Sequence, residues 1–173
     1  MTAPKSRMPD LVDCVIEDQR WQVLKIENLA EIACRATLKW RGIGPDGYEI
    51  ALLACDDSRI AALNADFRDK PQPTNVLSWP DIDLARQAGA HPELPPKPEG
   101  PFVQSLGDIA IAFETCQGEA KAAGKPMAQH VTHLIVHGCL HLLGYDHVLD
   151  TDAARMEGLE TEILESLGQP DPY

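Results

Sequence analysis

Short apolar stretches and longer runs of helical spacing alternate along the chain, and their order predicts the elements. Residues 11–17 (L-V-D-C-V-I-E) read as a strand. Residues 18–41 place Trp21, Leu24, Leu29, Ile32, Ala33, Ala36 and Trp40 at helical spacing and stop at Gly42. Tyr48 to Cys55 is a second strand, and Ser58 to Phe67 a short helix that Asp56 or Asp57 can cap. Thr74 to Trp79 is β-prone and ends at Pro80, and Leu106 to Phe113 is the last strand. Helices follow at Thr115–Ala123, from Pro126 to about Leu143, and at Asp150–Leu167. Four strands interrupted by helices cannot all pair as hairpins. The expected fold is therefore α+β, a small mixed four-stranded sheet with about five helices, in one domain spanning residues 1–173. Residues 80–101 hold six of the fourteen prolines and little periodicity, which predicts a surface loop within that domain.

Composition narrows the function. With 44% hydrophobic and 24% charged residues the chain is of ordinary globular type and not a disordered one. Its 27 acids against 15 bases give a formal charge of −12, which argues against sequence-independent duplex binding through many phosphate contacts. Half of that excess sits in residues 148–173, with seven acids and one Arg, so a local basic groove elsewhere is still allowed. The longest apolar run is Ile50–Cys55, and the opening M-T-A-P-K-S-R-M-P has no apolar h-region, so neither a membrane span nor a secretory signal is expected. Five cysteines, an odd number with no C-x-x-C, fit a reducing cytoplasm better than a disulfide framework. G-I-G-P-D-G at 42–47 follows a helix and precedes a strand, the reverse of a dinucleotide loop, and reads as a turn.

Five of the six histidines, His130, His133, His137, His141 and His147, lie within 18 residues. The first four fall within an arc of roughly 80° on one helix face. A histidine pair on an apolar helix is usually a hydrogen-bonded structural pair, and three features move the reading toward a metal. His137 and His141 stand at i,i+4, within reach of one ion at about 2.0–2.1 Å each. Gly144 stands where a helix C-cap is expected, and His147 follows on the returning segment. His133 also pairs with His137 by spacing, but it cannot share an ion with His141 roughly 12 Å up the helix. The predicted ligands are His137, His141 and His147, with His133 and His130 above them; Cys139, about 200° around the helix from His137, faces the core. Three neutral nitrogens without a fourth protein ligand leave an open position, a catalytic arrangement for one Zn²⁺, with nickel and copper as alternatives.

At these residues the sequence resembles the YbeY family of bacterial zinc-dependent endoribonucleases, also described as rRNA maturation factors. The resemblance is carried by H-G-C-L-H-L-L-G-Y-D-H at 137–147, L-N-A-D-F-R at 63–68, P-T-N-V-L-S-W-P at 73–80, L-G-D-I-A-I at 106–111 and a tail similar to M-E-x-L-E-T-E-I-L. Trp79 stands where the family more often shows Phe, and the proline-rich loop is longer than expected; neither touches the metal chemistry. The resemblance implies a zincin-like α+β domain, three histidine zinc ligands, and cytoplasmic action on single-stranded or ribosomal RNA. It further implies 16S rRNA 3′-end maturation, ribosome quality control, and the ribosome or small-subunit proteins as partners.

The resemblance also matches Arg68 to the arginine of the family's L-N-x-x-[FY]-R segment, as a cation for phosphate; complementing the C-terminal dipole of its own helix is the competing role. Asp146 is read as orienting a ligand, with general-base and turn-forming roles beside it. Arg20, Lys25, Arg35, Lys39 and Arg41 form either a solvated face of the first helix or a flank that tracks RNA. The histidine spacing is also similar to the metzincin proteases, H-E-x-x-H-x-x-G-x-x-H, which makes a metalloprotease the alternative enzyme. Those enzymes take a proton on the Glu beside the first histidine, and here that residue is Gly138. A non-catalytic assembly factor, in which the metal only stabilises the fold, is the third reading.

Overall fold

Alternation along β2 (Tyr48–Cys55) sets the plan: Tyr48, Ile50, Leu52 and Ala54 are buried on one face, while Glu49, Ala51 and Leu53 on the other are half-covered. The computed structural model describes residues 10–85 and 90–173. Around β2 lie β1 (Val12–Ile16), β3 (Val76–Pro80) and β4 (Gln104–Ala112), in the order β1-β2-β4-β3. β1 and β4 run parallel to β2, and β3 runs antiparallel to β4, so the sheet is mixed as the interleaved helices require.

The helices are α1 (Ile26–Trp40), α2 (Asp57–Arg68), α3 (Phe113–Ala123), α4 (Met127–Leu142) and α5 (Asp150–Ser166). The principal core joins Ile50, Leu52, Ile109 and Ile111 of the sheet to Ala33, Leu38, Ile135 and Leu140 of α1 and α4. Each large side chain removed from water there contributes about 1.5–3 kcal/mol. On the opposite face α2 brings Ile60 and Leu63 against Leu77, Ala110 and Ala112. Gly138 of α4 faces β4, where a Cβ would stand 3.4 Å from the Ile109 side chain, in ordinary contact. Among the described residues no helix is long and apolar enough to cross a membrane.

The structure corrects the sequence reading in several places. The helix expected over 18–41 is two segments, a 3-10 turn at Gln19–Leu24 and then α1, separated by Lys25 at φ 49°, ψ 55°. Trp21 explains the break. Its fully buried indole donates to the Cys55 carbonyl at 2.8 Å and meets Phe113 edge-on, which pins the first segment over the end of β2 while α1 turns away along the sheet. Asp56, not Asp57, caps α2 by accepting from the Arg59 amide; Asp57 accepts from Thr115 instead. Pro126 precedes the first turn of α4 as its cap, β4 starts two residues earlier than expected, and Phe113 already begins α3.

Of the loop expected at 80–101, residues 86–89 lie outside the described residues, as does the opening segment 1–9. The described part is mostly exposed but tied to the rest of the molecule at a few points. Leu84 is buried and its carbonyl accepts from Glu93, Tyr48 donates to the Pro96 carbonyl, and Arg41 donates to that of Pro92.

Candidate metal centre

The end of α4 is built to return the chain. Gly144 takes φ +96°, its amide donates to the His141 carbonyl at 3.0 Å, and the Tyr145 amide donates to the Leu140 carbonyl at 3.1 Å. This is a Schellman ending, in which glycine supplies the left-handed residue and the following apolar side chain, here buried Tyr145, seals the last turn. A Cβ on Gly144 would lie 2.8 Å from Pro92 and 3.0 Å from the Leu84 backbone, so the proline-rich loop presses on the same turn. His147 is thereby carried back beside the helix.

His137, His141 and His147 lie together, each with a ligand atom within 4.8 Å of the other two. Their ring centroids are 4.5, 5.5 and 5.1 Å apart for the pairs 137–141, 137–147 and 141–147. The His141 Nδ1–H donates to the Tyr145 carbonyl at 2.9 Å, and the His137 Nδ1–H donates to Glu160. Those acceptors leave both Nε2 atoms as lone pairs, and the two approach to 3.0 Å. Two lone pairs so close repel unless a cation lies between them, so the donor set fits a metal ion. Burial first, and then neighbouring His137, depress the His141 pKa to about 4, so this imidazole is neutral and ready to ligate at neutral pH. The group could hold a metal ion.

Glu160 was not anticipated. It is fully buried on α5, accepting from His137 on Oε1 and from His133 Nε2 at 3.0 Å on Oε2, while the Tyr173 hydroxyl also donates to Oε2. Burial alone would raise its carboxyl, but the bonds from His133, His137 and Tyr173 outweigh that and hold it at about 2. A signal did exist: Met156, Glu160, Ile163 and Leu164 are at helical spacing, which puts a carboxylate on the core face of an otherwise solvated acidic helix. Such second partners of metal-binding histidines fix the ring and raise its basicity. His133 is thus engaged by Glu160 and lies outside the three-histidine group, and His130 faces Glu119 at 3.3 Å. Cys139 is buried in the core, where it meets Cys34 of α1.

The histidines open into a cleft of about 710 Å³ whose wall includes Arg68, Ser78, Asp83 and Asp146. Arg68 is exposed in the last turn of α2, reaches over edge strand β3 to the Ser78 carbonyl at 3.4 Å, and has no carboxylate partner among the described residues. Its place suits the helix dipole and also leaves in the cleft a guanidinium whose charge no carboxylate among the described residues offsets. Asp146 accepts from the His147 amide at 2.7 Å and stands 3.7 Å from its Nδ1, so it shapes the turn that carries this histidine. Of the basic residues on the first helical stretch, Arg20 is paired with Asp18 and Glu114, Arg35 with Glu31, and Arg41 with a backbone carbonyl, which weakens the idea of a free basic flank. Gly138, where a metzincin carries its general base, has no side chain to take a proton, and a Cβ there would meet the Ile109 side chain at 3.4 Å.

A family model described as Endoribonuclease YbeY matches residues 13–168. Among curated relatives named endoribonuclease YbeY, that of Ruegeria pomeroyi is 60% identical over 94% of this chain and 97% of its own length. That of Paracoccus denitrificans is 53% identical over 96% and 91%, and that of Cereibacter sphaeroides 54% over 96% and 100%. The fold is shared with the solution structure of a Thermotoga maritima protein, at a TM-score of 0.54 and 19% identity over 93% of this chain and 97% of the other.

Proposed function

The chain belongs to the endoribonuclease YbeY family, and from that premise we propose that it is a zinc-dependent single-strand endoribonuclease acting on ribosomal RNA, in 16S rRNA 3′-end maturation and ribosome quality control. The observation that carries this reading is the pairing of three converging histidines with an uncompensated arginine across one cleft. His137, His141 and His147 would hold the zinc ion, which when bound would supply Lewis acidity toward a phosphate or a water. Glu160 and the Tyr145 carbonyl hold the two helical imidazoles in the ligating tautomer. Arg68 binds a phosphate and offsets the charge that grows on it in the transition state; its planar fork suits two oxygens at once. Asp146 keeps His147 on the rim by fixing the turn.

The charge of −12 gives the protein no long-range pull on RNA. Substrate is therefore delivered locally, with the ribosome or small-subunit proteins as partners in the cytoplasm. The unpaired cysteines, four of them buried, suit that reducing compartment. Peptide hydrolysis is disfavoured because the residue beside His137 is Gly138, which offers no general base. The test offers metal-replete protein a single-stranded RNA from the 3′ end of small-subunit rRNA and, in parallel, an unfolded protein substrate. Cleavage of the RNA alone is expected. Cleavage of the protein substrate would favour a metalloprotease, and cleavage of neither a metal-stabilised assembly factor.

A further inference from the structure

The geometry points to Tyr173 as a positioning residue of the metal centre, acting through Glu160 on His137. This rests on the reading that His137, His141 and His147 hold a metal. Tyr173 as a residue is 62% exposed, yet its hydroxyl donates to Oε2 of the fully buried Glu160, whose Oε1 accepts from His137 Nδ1. The same Oε2 accepts from His133 at 3.0 Å, and the Tyr173 ring packs edge-on against His133 with centroids 5.6 Å apart.

The segment after α5 is tied down in a way that delivers this hydroxyl. Gly168 turns the chain at φ +77°, and the Gln169 amide returns to the Leu164 carbonyl at 2.9 Å. Lys125 donates to the Pro172 carbonyl at 3.2 Å, and Asp171 accepts from the Tyr173 amide at 2.9 Å and from Thr161 at 3.3 Å. These bonds come from α5 and from the linker before α4, so the segment bridges the helix that carries the histidines and the helix that carries the carboxylate.

The physical argument concerns the carboxylate plane. A single bond from His137 to Oε1 leaves Glu160 free to swing about its side-chain torsions, and His137 free to follow. Donors on Oε2 from two directions, His133 and Tyr173, fix the plane and hence the direction from which Oε1 meets Nδ1. They also supply the hydrogen bonds that an anion with no exposed surface requires. The ligating Nε2 of His137, on the far side of the same ring, is aimed as a consequence.

Tyr173→Phe separates the hydroxyl from the ring, because it keeps the packing against His133 and removes only the donor; Tyr173→Ala removes both. Cobalt(II) titration of the full-length protein reads the site through the visible absorption of the bound ion, and competition with a chromophoric chelator gives its affinity. Tyr173→Phe should weaken cobalt and zinc binding by about three- to ten-fold and alter the cobalt spectrum, and Glu160→Gln should weaken binding about 10–100-fold, as loss of a supporting partner does. Melting of the metal-free Tyr173→Phe protein should fall only modestly, by the loss of one hydrogen bond to a carboxylate that His133 and His137 still hold, and the protein should remain folded. If Tyr173→Phe binds cobalt with wild-type affinity and spectrum while Tyr173→Ala does not, the ring acts by packing alone and the inference is overturned. A wild-type chain that takes up no cobalt would overturn the metal reading itself, which is a different result.

Discussion

His137 and His141 turn their Nε2 atoms toward each other at 3.0 Å because their Nδ1 atoms are held elsewhere, one by Glu160 and the other by the Tyr145 carbonyl. The site is thus prepared by groups that would never touch the metal. A side chain on α5 and a carbonyl in the turn after α4 decide which nitrogen faces the cleft.

Replacing any one of His137, His141 or His147 by Ala should remove most of the bound zinc, with a loss of affinity greater than the roughly 10–100-fold cost of losing a supporting partner. His133→Ala should keep the ion, because that ring lies outside the group of three. Metal analysis after dialysis checks this. An empty site in His133→Ala together with a full one in His141→Ala would place the ligands one helical turn away.

Arg68→Ala should leave zinc content and melting temperature unchanged and lower RNA cleavage by about 10²–10³-fold, the cost of removing one charge-stabilising donor. Lys at this position should recover only part of the rate, since a point charge cannot present two parallel donors. Unaltered cleavage by a zinc-replete Arg68→Ala protein would remove Arg68 from the chemistry.

Gly144→Ala should act on stability and metal together. The added Cβ meets Pro92 at 2.8 Å, and φ of +96° strains any L side chain, so a loss of about 1–3 kcal/mol is expected in denaturant melts. The turn that brings back His147 is the part that yields, and zinc should be released more easily. Wild-type stability in this variant would show that the proline-rich loop does not press on the turn.

The Arg20 ion pairs give a pH signature away from the metal. Hydrogen bonding from Arg20 lowers the Asp18 carboxyl below its ordinary range; for Glu114, burial works upward, but bonds from Arg20 and the Asp57 amide outweigh it. Depressed carboxyls stabilise the fold fully above their ordinary pKa, near 4, and that contribution disappears as pH falls through the lowered folded values. Arg20→Gln should therefore melt below wild type at pH 6–7, and the gap should narrow below about pH 4. A gap that widens in acid would contradict the pairing.

The three histidines were legible in the sequence because they obey local rules: an i,i+4 pair on one helix face, a glycine that must stop that helix, and a short return. The mixed sheet was legible for a similar reason, since helices between strands exclude a run of hairpins. What escaped depends on contacts distant in sequence. Lys25 breaks the first helix because Trp21 is anchored to Cys55 and Phe113, neither of which lies near it along the chain. Glu160 looked like one more acid in an acidic helix until α4 packed against it. The loop after Pro80 is mostly exposed, but its prolines gave no sign that Leu84 and Pro92 would reach the turn at Gly144.

The central claim is that the histidine cleft cuts RNA through its metal, and the most direct measurement follows zinc content and the cleavage rate of single-stranded ribosomal RNA in the same samples. Protein stripped by a chelator should lose both, and stepwise return of zinc should restore the rate in proportion to the ion bound, reaching its plateau at one equivalent. Cleavage that persists in the stripped protein, or no cleavage at one equivalent of zinc, would contradict the account.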